Sequence, residues 1–270
     1  MTTDGEAPGL ELSAADPEVA QVIRAILPVF NNERERPERV GTCVLIRVHD
    51  HAFVVTAAHV IDDIQGSTGR FTVAIGGKLI TIHRDRFVTP PQDAADVGLV
   101  PLRPPVVNAF LQSGGLFLDG DSIDENEKAD GKDVLNTLAH TYFAVGFPAS
   151  RSQSRIHHAQ RKIHVKTYSI GLTLAPTDSY PIGLERDQHI LLDYDPKEIL
   201  LEGRSVNPPM VQGMSGGGIF RFRRWQPETA KLVGILIEQH KDARVLAGTR
   251  ASVALSLARE IIARYPDAFS

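Results

Sequence analysis

The sequence contains a single cysteine, Cys43. An intrachain disulfide needs two thiols, so the disulfide framework of small secreted domains is excluded. The fold therefore depends on an apolar core, and 270 residues with 42% hydrophobic content can form a substantial one. Cys43 lies in the apolar run TCVLIRV, where we expect a small buried core residue rather than a nucleophile.

The sequence also lacks a long apolar run. It contains no stretch of about 18 apolar residues, the length that a membrane-spanning helix needs. Its first residues, MTTDGEAPGLELSAAD, lack the basic start and the apolar run of a signal peptide. We therefore expect no membrane partner and a reducing, cytoplasmic location.

An excess of positive charge is missing as well. The formal net charge is -4 at pH 7, whereas a general nucleic-acid-binding domain carries a basic excess, so we expect no nucleic-acid partner. Locally, residues 118–133 are acidic, and we interpret them as a solvated loop because Ile123 falls where a calcium loop needs an oxygen ligand. Residues 151–166 are basic and predict the exposed face of a hairpin, with docking to an acidic partner as the alternative.

Clustered metal ligands are also missing. His157, His158 and His164 lie close together in the sequence, but no closing ligands follow at a compatible spacing. We therefore expect neither a metal nor another cofactor.

Short apolar runs rich in β-branched residues are abundant. One series lies between residues 41 and 102 (TCVLIRV, AFVVTAA, FTVAI, KLITIH, DVGLVPL), and a second lies between 142 and 238 (YFAVGFP, KIHVKTYSIGLTLA, HILLDY, GGGIFRF, KLVGILIE). This pattern predicts an all-β barrel or sandwich. Helical spacing of apolar residues predicts a helix at about 16–30 and another over Ala251–Tyr265, with Ser252 as its N-cap.

Ser215 stands among glycines in VQGMSGGGIF, a setting that suits a nucleophile in a backbone cradle. Its candidate base is His59, which ends the strand-like run AFVVTAAH, and the candidate acid is Asp96, which opens the apolar run DVGLVPL. A carboxylate at the start of such a run needs a partner, because burying an unpaired charge is costly. The order His, Asp, Ser argues against α/β-hydrolases, in which the acid and the histidine follow the serine.

The combination of TAAH, DVGLV and GMSGGG on an all-β background resembles the trypsin-like (chymotrypsin-fold) serine peptidases, and in particular their disulfide-free bacterial branch. The resemblance covers residues 38–250. It implies two packed six-stranded antiparallel β-barrels, between an N-terminal and a C-terminal helix. The expected organisation is a tail and helix at 1–37, barrel 1 at 38–115, a linker at 116–136, barrel 2 at 137–250 and a C-terminal helix at 251–270.

The resemblance also implies the roles of individual residues. Ser215 would be the nucleophile, His59 the general base and Asp96 the acid that orients it, while the amides of Gly213 and Ser215 would form the oxyanion hole. Gly216 and Gly217 would leave room for the substrate and for the departing strand. The floor of the specificity pocket would lie near Pro209 and its wall at Glu238, Gln239 and His240. The preference stays open, because Glu238 favours a basic side chain and His240 an acidic or amide one.

Met214 departs from the digestive enzymes, which have an aspartate there that pairs with a new N-terminus after activation cleavage. The resemblance therefore implies a serine endopeptidase that forms an acyl-enzyme with a protein or peptide substrate, controlled by narrow specificity or by a regulatory protein partner. The alternative is a catalytically silent scaffold that acts as a protein-binding module.

Overall fold

The computed structural model describes residues 21–33, 36–82, 95–128, 139–149, 155–157, 162–164, 167–176, 178, 180–196, 200–201, 204–205 and 211–269. Pro209, His158 and most of the basic segment 151–166 lie outside these residues, as do the side chains of His157 and His164. The described chain is mostly β-strand, so the predicted all-β class is confirmed.

The first half of the chain forms an antiparallel sheet of six strands. They are β1 (Ile26–Glu33), β2 (Arg36–Val48), β3 (His51–Thr56), β4 (Arg70–Ile75), β5 (Lys78–Thr81) and β6 (Gly98–Pro101), in the order β5-β4-β1-β2-β3-β6. No pairing joins the outer strands β5 and β6 within the described residues, and the chain between them runs through 83–94, outside that range. The predicted closure of this first barrel is therefore not confirmed.

The second half forms a closed six-stranded barrel, as predicted. Its strands are β7 (His140–Gly146), β10 (Tyr168–Leu174), β11 (His189–Asp193), β14 (Gly218–Arg223), β15 (Gln226–His240) and β16 (Val245–Arg250). Two small hairpins accompany it, β8 (Arg155–His157) with β9 (Lys162–His164), and β12 (Leu200–Leu201) with β13 (Arg204–Ser205). The backbone of β8 and β9 confirms the hairpin predicted for the basic segment.

One apolar core runs through both sheets. Its largest buried cluster includes Val29 and Phe53 from the first sheet together with Phe143 and Phe220 from the barrel. Phe143 stacks on Phe220 with ring centroids 5.2 Å apart. Because the cluster is continuous, the two sheets share much of the hydrophobic stabilisation rather than each burying a separate core.

Three α-helices join these sheets in the described chain, α1 (Ala58–Gln65), α2 (Pro104–Gln112) and α3 (Ala251–Arg264), followed by a 3-10 turn at Pro266–Phe269. The predicted C-terminal helix is confirmed, but it begins after Arg250 without a side-chain cap, so Ser252 is not its N-cap. The 3-10 turn places Phe269 against His51 of the first sheet, with ring centroids 4.2 Å apart. None of the helices described is long and apolar enough to cross a membrane.

The helix predicted at about 16–30 is wrong beyond residue 23. Residues 21–23 are helical, but β1 begins at Ile26 and pairs with both β2 and β4. Every residue of Ile26–Phe30 is buried, and a central strand covered on both faces produces the same apolar run as one face of a helix. Pro28 disfavours a helix interior, and the strand tolerates it because β1 pairs with β4 only from Val29 onward, so Pro28 has a neighbouring strand on one side alone.

The acidic linker is packed more closely than the predicted solvated loop. Leu118 forms a parallel bridge with Ile46 of the first sheet, and Ile123 forms one with Leu232 of the barrel. Asp124 and Glu127 both form ion pairs with Arg221, and Glu127 is only 4% exposed. The solvated-loop interpretation is therefore wrong for these two carboxylates, which help to attach the linker to the barrel.

Thr42 on β2 connects the first sheet to the barrel half of the chain. Its N–H donates to the Ser215 carbonyl at 2.8 Å, and its hydroxyl donates to the Gly213 carbonyl at 2.9 Å. The same hydroxyl accepts the Phe147 N–H at 3.1 Å, while the Thr42 carbonyl accepts from Thr56 Oγ1 at 2.7 Å. Thr42 is fully buried, so water cannot replace these bonds.

We expect Thr42→Val to lower the free energy of unfolding by about 2–4 kcal/mol, because it leaves the Gly213 carbonyl and the Phe147 N–H buried without their partner. Thr249→Val is the matched control: its hydroxyl is also buried but has no hydrogen-bond partner among the described residues, so we expect a change within about 0.5 kcal/mol. Urea unfolding measures both. Equal losses in the two variants would contradict the role given to Thr42.

Candidate active site

The pairing of β3 with β6 brings His59 and Asp96 to the same end of the first sheet. Thr56, the last residue of β3, lies opposite Gly98, the first residue of β6. His59 follows β3 at the start of α1, and Asp96 comes just before β6. His59 and Asp96 therefore lie close together, because the strand before His59 pairs with the strand after Asp96.

Asp96 binds His59 through both carboxylate oxygens. Oδ2 lies 2.5 Å from His59 Nδ1, and Oδ1 accepts the His59 backbone N–H at 2.9 Å. A carboxylate can only accept, so the proton of this pair lies on Nδ1, which leaves Nε2 of the neutral ring as an acceptor. The bond to the backbone also satisfies a free N–H of α1, whose N-cap Ala57 supplies no side-chain cap.

The pair favours the charged form of both side chains. The hydrogen bond to Asp96 raises the pKa of His59 above its ordinary value, against the opposing effect of partial burial. For Asp96, burial acts to raise the pKa, but the hydrogen bond and charge of the His59 ring and the backbone N–H groups outweigh it and lower the pKa. The side chains are 45% and 31% exposed, so solvent screens part of this attraction.

Ser215 lies in a tight loop before β14. Met214 N–H donates to the Val211 carbonyl, and Gly217 N–H donates to the Met214 carbonyl, each at 2.8 Å. Thr42 binds the carbonyls of Gly213 and Ser215, but neither of their N–H groups donates to an acceptor among the described residues. Two backbone donors of one loop thus stay available to a ligand.

Gly213 and Gly216 adopt left-handed backbone conformations, with φ of 88° and 85°. A side chain at Gly213 would press on Phe147 O and Ala149 N, both 3.0 Å away, and one at Gly216 would overlap with Thr42 O and Thr56 Oγ1. A side chain at Gly217 would overlap with the Val145 carbonyl. The space at Gly216 and Gly217 is therefore filled by protein, and the expectation that these glycines leave room for substrate is wrong.

His59, Asp96 and Ser215 line one cleft of about 430 Å³, together with Glu238 and Gln239. The structure thus brings these five predicted residues together. His240 does not line the cleft, so its predicted place in the pocket wall is wrong. Its Nε2 lies 2.9 Å from Oε1 of Glu238, which does line the cleft.

The sequence interpretation missed the remaining residues that line the cleft, which are Val211, Gln212, Leu236, Ile237 and Leu246. Leu236 and Ile237 lie in LVGILIE, a run that indicates a buried strand but not which part of it reaches the cleft. Within the described residues, no group of three or more His, Cys, Asp or Glu side chains could hold a metal ion.

Met214 and Cys43 are both fully buried. Met214 packs inside the barrel with Tyr142, Ile219 and Leu236, so an aspartate there would be a charge in an apolar cluster. Burial raises the pKa of the Cys43 thiol, which keeps it protonated and confirms its interpretation as a core residue.

No family model and no curated protein matches this chain. Among solved structures, it is similar to the serine endoprotease from Yersinia pestis, with a TM-score of 0.56 and 15% identity over 94% of this chain and 68% of that one. The chain has the fold of a serine endoprotease. It is also similar to Rv3671c from Mycobacterium tuberculosis H37Rv, solved as a serine-to-alanine variant in an inactive form, with a TM-score of 0.51 and 15% identity over 96% of this chain and 97% of that one. At this identity the comparisons confirm the resemblance at the level of the fold.

We expect Gly216→Ala to cost about 3 kcal/mol or more of stability, because the new methyl group meets Thr42 and Thr56 in an unfavourable backbone conformation. Gly120→Ala is the control, since Gly120 faces open space, and its substitution should change stability by about 0.5 kcal/mol or less. Circular dichroism with chemical unfolding compares the two. A Gly216→Ala protein as stable as the Gly120→Ala protein would contradict the packing described for this loop.

Proposed function

We propose that the chain is a serine endopeptidase that hydrolyses peptide bonds through an acyl-enzyme. One observation carries the proposal: the hydrogen-bonded His59–Asp96 pair and Ser215 line the same cleft. The unused N–H groups of Gly213 and Ser215 support it, because acyl transfer needs donors for a developing oxyanion. The serine endoprotease fold supports it independently.

In the first half of the proposed reaction, Ser215 Oγ attacks the carbonyl carbon of the scissile peptide while His59 Nε2 takes the hydroxyl proton. The carbonyl oxygen becomes an oxyanion, which the N–H groups of Gly213 and Ser215 stabilise. The intermediate then collapses: the C–N bond breaks, His59 returns the proton to the amine, and the acyl group stays on Ser215 as an ester. In the second half, a water molecule gives a proton to His59 and attacks the ester carbonyl; the bond to Ser215 Oγ then breaks, the acid leaves, and His59 returns the proton to Oγ.

Asp96 supports both halves by holding the ring and stabilising the imidazolium. Its bond to the His59 backbone fixes the carboxylate relative to α1, so the ring and its partner keep their alignment as the proton moves. The raised pKa of His59 stabilises the imidazolium that forms while the ring holds the proton from Ser215.

This activity would not be switched on by a cleavage that creates a new N-terminus, as in the digestive enzymes. Met214 is a buried apolar residue at the position where the digestive enzymes have the activating carboxylate. We therefore propose narrow specificity for protein or peptide substrates, or control by a regulatory protein partner, for an enzyme acting in the cytoplasm.

A fluorophosphonate probe tests the nucleophile. We expect Ser215 to be labelled and Ser215→Ala to abolish labelling, because the probe reacts only with an activated serine. Ser256→Ala, on the exposed face of α3, is the matched control and should label as the unaltered protein does. Labelling that survives in Ser215→Ala would contradict the assignment, and an absence of labelling and of peptide hydrolysis would instead favour the catalytically silent scaffold.

The pH dependence tests Asp96. A general base works when deprotonated, so the raised pKa of His59 places the acid limb of kcat/KM above the ordinary value for histidine. Asp96→Asn removes the carboxylate that raises this pKa, so we expect the limb to move to lower pH and kcat to fall by about 10³–10⁴-fold.

Asp63→Asn is the control for long-range charge. Asp63 lies on α1 and raises the pKa of His59 without a hydrogen bond to it. This variant should shift the acid limb slightly in the same direction and keep kcat. A full loss of kcat in Asp63→Asn, or an unmoved limb in Asp96→Asn, would contradict the role of Asp96.

A further inference from the structure

A second groove, of about 300 Å³, lies where the first sheet meets the barrel. Its walls are Leu27 of β1, the turn at Gly76 between β4 and β5, Gly114 in the loop after α2, and Phe147 and Thr167 from the barrel half. It shares no lining residue with the catalytic cleft. It is therefore a separate surface that the proposed reaction does not use.

This groove combines an apolar floor with a positive rim. Leu27, Ile75 and Phe147 are largely buried beneath it. Arg24 lines the groove, where its Nε donates to the Gly114 carbonyl at 2.9 Å, and it has no carboxylate partner among the described residues. The fixed Nε bond orients the guanidinium while its terminal N–H groups stay available for a carboxylate.

One further basic residue lies beside the groove. Lys78 follows the Gly76–Gly77 turn and is exposed. The β8–β9 hairpin packs against β5, and the chain that leaves it reaches the groove at Thr167. The basic side chains of 151–166 lie outside the described residues, so the positive charge assigned to the groove is that of Arg24 and Lys78. The groove therefore suits a negatively charged peptide.

The sequence before the groove has the complementary charge. Residues 1–18 have no lysine or arginine and carry five acids, Asp4, Glu6, Glu11, Asp16 and Glu18. They also carry Leu10 and Leu12, which suit an apolar floor. Only residues 19–23 separate this segment from Arg24, so the segment is tethered at the rim and meets the groove at a high effective concentration.

We propose that this groove is the docking site for the acidic segment 1–18 of the same chain. Its carboxylates bind Arg24 and Lys78, and its leucines cover the apolar floor.

Docking would also affect the loop that contains Gly213 and Ser215, and the importance of this effect rests on the proposed function. Phe147 lines the groove, and its N–H donates to Thr42 Oγ1, which in turn donates to the Gly213 carbonyl. An occupied groove holds Phe147 in place and so supports the position of Gly213, one of the two oxyanion donors.

Hydrogen exchange on the full chain tests the docking. Three proteins are compared in a Ser215→Ala background, so that a failure of the catalytic proposal leaves the result unaffected. They are the otherwise unaltered chain, Arg24→Glu, and a neutralised chain with Asp4→Asn, Glu6→Gln, Glu11→Gln, Asp16→Asn and Glu18→Gln.

We expect amides of 71–78, 113–115 and Phe147 to exchange faster in both variants than in the unaltered chain. Lys231→Glu, an exposed change on β15 away from the groove, should leave them unchanged.

A fluorescent peptide of residues 1–18 identifies the occupant. The neutralised chain, whose groove is open, should bind it at least about tenfold more tightly than the unaltered chain, and Arg24→Glu added to the neutralised chain should weaken binding about tenfold. Equal binding to the neutralised and unaltered chains would overturn the assignment to the chain's own segment and point to an acidic partner. Unchanged exchange together with no peptide binding would overturn the site itself.

Discussion

The hydrogen bonds of Thr42 hold the candidate site together. They attach the carbonyls of Gly213 and Ser215, which belong to the barrel half, to β2 of the first sheet. Strand β2 pairs with β3, and β3 leads to His59 and pairs with the strand that follows Asp96. One sheet therefore sets the position of the serine loop and of the His59–Asp96 pair. These bonds occupy two carbonyls of the loop, while the N–H groups of Gly213 and Ser215 have no acceptor among the described residues.

The glycines around Ser215 follow from the same constraint. The carbonyl of Thr42 and the hydroxyl of Thr56 lie where a side chain of Gly216 would be, so the two halves approach too closely for any other residue. The shared apolar core presses them together, and the hydrogen bonds of Thr42 fix how they align. Burial of apolar surface is the main source of stabilisation in folding, and satisfied buried hydrogen bonds such as those of Thr42 fix one arrangement of the packed parts.

Much of this arrangement could be predicted from the sequence, because local signals are strong where strands and turns are regular. The runs TAAH, DVGLV and GMSGGG indicated His59, Asp96 and Ser215. The strand pattern indicated a barrel or sandwich, and the resemblance to the trypsin-like serine peptidases implied the six-stranded barrels, of which the second is observed to be closed. Thr42 gave no such signal: its hydroxyl meets a carbonyl 171 residues away, and no pattern within TCVLIRV reveals that contact. Strand β1 was missed for another reason, since a strand buried on both faces has no alternation to distinguish it from a helix.

Asp96 has a structural contact and a contact in the candidate site at the same time. One carboxylate oxygen binds the His59 ring, and the other binds the backbone at the start of α1. The N–H at the start of α1 binds the Asp96 carboxylate, and that carboxylate stabilises the positive form of the His59 ring, so the contacts that cap α1 also favour the charged form of the pair. The carboxylate of Asp96 and the carbonyls of Gly213 and Ser215 each have a structural partner, so the backbone around the site is held in place before any ligand binds.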